Sequence, residues 1–105
     1  MIITTTDFIP NKKIIAIDGV VRGSTIRAKH IGTDILAGLK NLVGGELKGY
    51  TAMINEARDQ AVERMIEEAK KLKSDAVINI RYATAEVMPG TAEVMAYGTA
   101  VKIKK

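Results

Sequence analysis

GGELKGYTAMINEARDQAVERMIEEAKKLKSDAVINIRY, residues 44–82, changes its hydrophobic period once, and that change decides the fold. From Glu46 to Lys73 the apolar positions Leu47, Tyr50, Ile54, Ala57, Ala61, Met65, Ala69 and Leu72 step by three and four. That spacing keeps one stripe on one side of a helix. Met53, Val62 and Ile66 widen the stripe. The other side is charged, and Arg64 with Glu68 and Glu67 with Lys71 are spaced for i,i+4 pairing. Several stripe positions are alanine, which lets a partner surface come close. After Ser74 the period becomes two, with Ile78, Ile80 and Tyr82 alternating against Val77, Asn79 and Arg81.

Downstream, Met88-Pro89-Gly90-Thr91 reads as a turn, with proline setting the first central dihedral and glycine accepting positive φ at the next. The return strand AEVMAYGTAVKI completes a hairpin that contains Glu86 and Glu93. Upstream, IITTTDF is a short strand and NKKIIAIDGVVRGSTIRA a longer one. Both parities of the longer strand are apolar, which predicts a strand covered on both sides. Gly19 and Gly23 within it suit a bend, a bulge or the close approach of another backbone. GTDILAGLKNLV, residues 32–43, has helical spacing and a capping Thr33 or Asp34, and Gly44-Gly45 end it. The order ββααββ predicts a single α+β domain of two layers, with a short and a long helix on an antiparallel sheet.

At 105 residues the chain holds one core, and that core is poor in aromatics: one Phe, three Tyr and no Trp. A subunit of this kind gains from burying surface on a partner. The absence of cysteine excludes disulfides, thiolate metal sites and Cys nucleophiles. No stretch approaches the roughly 20 apolar residues of a membrane helix, and the N-terminus has no signal-peptide pattern, so a soluble cytoplasmic protein is expected. The net charge is +4, shared between the tail VKIKK and the group Arg22, Arg27, Lys29 and His30. Solvated lysines guarding a strand edge account for it better than a nucleic-acid site.

Gly44-Gly45 lacks the strand before it and the spaced glycines of a phosphate loop, so it reads as a corner between helices. Glu46 then opens the long helix, where the helix dipole favours a carboxylate. His30 is the only histidine and the one candidate metal ligand; a single chain with one His and no Cys builds no conventional zinc site, so metal there needs neighbouring copies. Ser24 and Ser74 have no histidine near in sequence, and no catalytic set is recognisable. Arg58 and Arg81 read as partly buried, paired with Glu46, Asp75 or a neighbour's acid, with an anion site as the alternative. Tyr97-Gly98 suits the approach of another backbone or a flat ligand.

The segments GGELKGYTAMINEARDQAVERM, SDAVINIRY and AYGTAV together resemble the YbjQ-like family of small proteins, which carries the label "putative heavy-metal-binding". The resemblance spans nearly the whole chain, anchored at Gly44, Gly45, Glu46, Tyr50, Ala57, Arg58, Asp75, Ala76, Arg81, Tyr97, Gly98, Thr99 and Ala100. It implies a subunit similar to that of dodecin, assembled into a ring, a homopentamer formed by strand pairing between neighbours. It supplies no reaction, and a divalent heavy metal enters by the family label alone. The resulting expectation is a ring-forming binding or scaffold protein, with a metal or small-molecule site between subunits as the alternative.

Overall fold

Four strands and one long helix carry the architecture. The structure, a computed structural model, describes residues 1–28, 42, 43 and 46–104. The elements run β1 (Ile2–Ile3), β2 (Ile14–Ala28), β3 (Leu42–Val43), β4 (Glu46–Leu47), α1 (Lys48–Lys71), β5 (Ala76–Met88) and β6 (Thr91–Ile103). The main sheet has the order β1-β5-β6-β2. β6 lies between β5 and β2 and is antiparallel to both, while β1 pairs parallel with β5. The sheet is therefore mixed, where alternation alone predicts an antiparallel one. Alternation reports which face a side chain takes but not the direction of the neighbouring strand.

Residues 42–47 also depart from expectation. Leu42–Val43 pairs antiparallel with Glu46–Leu47 as a second, two-stranded sheet, so the predicted helix does not reach Val43. Glu46 sits in β4, two residues before the helix begins at Lys48. Ladder hydrogen bonds override helical spacing in so short a stretch. Gly44, Gly45 and residues 32–41 lie outside the described residues.

α1 lies across one face of the sheet, and its buried line is Ala57, Ala61, Met65 and Ala69, four residues apart. These pack on Val21 of β2, on Val77 and Ile80 of β5, and on Val94, Ala96 and Ala100 of β6. Gly23 explains how close the layers come: a Cβ there would overlap the backbone of Ala61 and Met65. Leu72, predicted for the stripe, is largely exposed beyond the helix end. The helix closes on Lys73 in the left-handed region (φ 58°), with Ser74 N–H donating to Ala69 O and Lys73 N–H to Lys70 O. This is the paired C-terminal closure that usually employs glycine.

The opposite face is covered at one end only. There Ile9, from the irregular segment after β1, packs with Ile78, Val101 and Ile103. Along the rest of that face β2 is not covered as its double apolar parity predicts: Ile17 is 74% and Val20 78% exposed. Register shifts near Ile15 and Asp18 turn the strand, with Gly19 at φ 142° in the second.

Candidate functional site

Each side chain's face follows from the register. Val21, Ala96 and Ile80 point at the helix, so Arg22, Tyr97 and Arg81 point away from it, onto the open face. Arg22 pairs with Tyr97 across β2–β6, and Tyr97 with Arg81 across β6–β5. The three form one row, arginine–tyrosine–arginine, over three adjacent strands. With strands about 4.8 Å apart, the two arginine Cα atoms lie about 10 Å apart.

A bulge sets this row. Between the pairs Ile78–Thr99 and Arg81–Tyr97, Asn79 and Ile80 stand opposite Gly98 alone, with Asn79 at φ 54°. A Cβ on Gly98 would come within 2.8 Å of Val77 Cγ1 and 2.9 Å of Ile78 O. The extra residue in β5 restores Ile80 to the core and Arg81 to the open face. The backbone approach expected at Tyr97-Gly98 is thus made within the chain.

The electrostatics of the row are those of cations without carboxylates. Arg81 Nη1 donates to Thr5 O (2.9 Å) and Ile80 O (2.8 Å), in place of the acid its sequence context suggested. Asp75, one predicted partner, instead accepts from the backbone N–H of Ile103 (3.0 Å). Arg22 makes no ion pair among the described residues, and Tyr97 is 37% exposed.

The remaining candidates fall elsewhere. Arg58 lies on the flank of α1 toward β5, where Nη1 reaches Asn55 Oδ1 at 3.5 Å, and it lines a groove with Thr84 and Glu86. It is not joined to Arg81 or Tyr97. Glu46 is in β4, and His30 lies outside the described residues. Among the described residues no group of three or more His, Asp or Glu is placed to hold a metal ion. Arg22 is the residue that sequence reasoning missed: it was visible only as one of several charges, because its partnership with Tyr97 depends on strand register.

Two further polar groups are structural. Arg64 reaches Ser24 O and Thr25 Oγ1, rather than the predicted Glu68, while Thr25 Oγ1 donates to Gln60 Oε1 (2.7 Å). Arg27 joins the same Gln60 and pairs with Glu56 at 3.3 Å, so β2 is pinned to α1. Glu68 pairs instead with Lys71 at 3.2 Å. Asp18 accepts from Lys102 Nζ (2.7 Å) and Ser74 Oγ (2.5 Å), tying the turn after the helix to β2 and β6. The Lys102 hydrogen bond, aided by that of Ser74, holds the Asp18 carboxyl below the usual aspartate value.

Two grooves flank the outer strands. One, about 610 Å³, runs beside β2 between Val20, Arg22, Glu68, Lys71 and Leu72. The other, about 360 Å³, lies beside β5 between Ile3, Asp59, Val62 and Tyr82. No described helix is long and apolar enough to cross a membrane.

Comparison with known proteins agrees over the whole length. The family model described as "YbjQ_1: Putative heavy-metal-binding" matches residues 1–104. A UPF0145 protein of Archaeoglobus fulgidus is 57% identical over 104 residues, covering 99% of this chain and 96% of its own. The UPF0145 protein of Clostridium novyi is 62% identical, covering 98% and 99%. A crystal structure of a protein of unknown function from Pediococcus pentosaceus, of the DUF74 family, matches with TM-score 0.73 at 23% identity, over 99% of this chain and 98% of that one. That likeness supports the α+β fold. Taken with the family match over residues 1–104, these relatives establish that the chain belongs to the YbjQ (UPF0145) family.

Proposed function

We propose that the protein acts by binding or scaffolding within a closed ring of its own copies, a homopentamer, rather than by catalysis. One observation carries this: among the described residues β2 has no partner on its outer side, and β5 has none beyond Ile80, where the hydrogen bonds from Thr4 and Thr6 end. β2 is a 15-residue outer strand, and among the described residues β1 covers only the start of β5. Exposed Ile17 and Val20 accompany the first edge, and exposed Tyr82, Val87 and Met88 the second. Long apolar edges template pairing with another chain. Because the two edges differ, pairing one with the other is head-to-tail, and such contacts close into rings when the rotation allows. The five-fold count comes from the family resemblance. A cytoplasmic location, supported by the cysteine-free composition, belongs to the same proposal.

Native mass spectrometry of protein purified without added metal tests it. The expected result is a pentamer for the native chain and a folded monomer for Val20→Lys, whose side chain is solvent-exposed in the single subunit. A monomeric native protein overturns the reading.

A second reading, a small-molecule or metal site between subunits, is favoured by the two grooves. They flank opposite edges at the same level of the sheet, since Val21 lies opposite Gly98 and Ile80 stands in the bulge facing Gly98. Edge pairing at that level would merge them. A reproducible added mass on the pentamer supports this reading, and saturable zinc binding lost in His30→Ala would assign it to a metal.

A further inference from the structure

We propose that the open face of the sheet binds a small planar aromatic molecule carrying a phosphate, stacked on Tyr97 and held by Arg22 and Arg81. All three residues come from one chain, although Arg22 lies on β2, the strand proposed above to pair with a neighbour.

The cross-strand row supplies the geometry. Arg22 and Arg81 flank Tyr97 on either side, one strand spacing away in each direction. The Arg81 guanidinium is held at the outer side of β5 by Thr5 O and Ile80 O, and Arg22 stands on the outer strand β2, so the two cations bracket the tyrosine from opposite sides of the sheet. Arg81 is anchored through Nη1 alone, which leaves Nε and Nη2 for a ligand while fixing the side chain's position. Arg22 and the Tyr97 hydroxyl make no hydrogen bond among the described residues.

The charge supplies the ligand class. The neighbouring rows on this face, Val20–Thr99–Ile78 and Ser24–Met95–Ala83, contain no carboxylate. The first acid along the face is Glu93, between Ile26 and Ala85, about 14 Å from Tyr97 along the strand. Asp7, in the adjoining N-terminal segment, forms no ion pair with Arg81. Glu68, which lines the groove beside Arg22, is itself paired with Lys71, so two arginines without an ion-paired carboxylate match a doubly charged group, and arginine forks suit phosphate oxygens. A partly exposed tyrosine, with Met95 and Thr99 beside it along β6 and Ser24 and Ala83 on the flanking strands, offers an aromatic plane for stacking. Tyr97 is the one aromatic side chain among the strand residues described on this face, which matches one base-sized ring, whereas a nucleic-acid strand requires successive stacking platforms.

The test is a titration of ¹⁵N-labelled protein with 5′-AMP, followed by amide shifts, alongside adenosine and a six-residue oligodeoxyadenylate. The expected shifts cluster on Arg22, Tyr97 and Arg81. Adenosine should bind at least about tenfold more weakly, because each charge-assisted hydrogen bond carries a factor of that order. Arg22→Ala and Tyr97→Ala should each weaken AMP binding on the order of tenfold, while Tyr97→Phe, which keeps the ring, should bind as the native chain does. Shifts that are absent, that fall elsewhere, or that are equal for AMP and adenosine overturn the proposal. An oligonucleotide affinity that exceeds the AMP affinity in excess of its count of nucleotides replaces it with a nucleic-acid surface.

Discussion

Replacing Gly23 by alanine measures how closely the two layers are packed. The added methyl group would overlap the main chain at Ala61 and Met65 and come within 2.7 Å of Arg64 Cβ. Backbone inside a helix has no rotamer to change, so the helix must lift from β2, by an amount on the order of 1 Å. A gap of that size forfeits a quarter to a half of the dispersion well of every contact across it. Burial of Met65 contributes about 2 kcal/mol and each alanine of the buried line about 0.8 kcal/mol, so roughly 1–2 kcal/mol is lost there. Residual overpacking adds about 1–3 kcal/mol. The expected cost is about 3 kcal/mol, a large share of the roughly 5–15 kcal/mol that holds a domain folded. Urea denaturation followed by far-UV circular dichroism reads it directly, and a midpoint lowered at unchanged slope identifies lost stability. A loss below about 1 kcal/mol would refute the close approach at Gly23.

Two other perturbations probe the same scaffold. Lys73→Gly should stabilise the chain by about 1 kcal/mol, because Lys73 holds a left-handed conformation (φ 58°) that costs an L-residue about that much; a thermal melt should rise by about 4–8 °C, and an unchanged or lower melt would contradict the assignment. Asp18→Asn tests the acid limb. The folded-state pKa is depressed, so the stabilisation from Asp18 is present above the ordinary aspartate value and disappears as pH falls through the lowered one. Stability measured between pH 6 and about pH 2 should therefore fall more shallowly in the variant than in the native chain, and parallel curves would show that Asp18 contributes nothing to acid sensitivity.

The long helix, the hairpin and the glycine bulge could be read from the sequence because each rests on local chemistry. A stripe of period 3.6, a Pro-Gly turn and a strand glycine act over a few residues, and Ala57, Ala61, Met65, Ala69, Gly90 and Gly19 behave accordingly. The direction of β1 and the arginine–tyrosine row were hidden, because both depend on which strands become neighbours and in what register. Leu42–Val43 and Glu46–Leu47 were misread for another reason: two-residue strands are too short to show a period, and their pairing decides their conformation. Arg81 reads in the sequence as a partly buried arginine paired with an acid, whereas it is exposed and its partners are carbonyl oxygens, which no pattern of side chains reveals.

The place of β6 in the sheet has a consequence for how the chain is made. Val21 finds its partner only at Gly98, and Gly19 only at Ala100. A ribosome adding about 5–20 residues per second needs roughly 4–15 seconds to produce that partner after β2 is complete. For those seconds the apolar run IIAIDGVV lacks β6, its partner among the described residues, and closing so long a loop is itself slow. The nascent chain thus carries its stickiest segment through most of its own synthesis, and its yield in a cell depends on what shelters β2 during that interval.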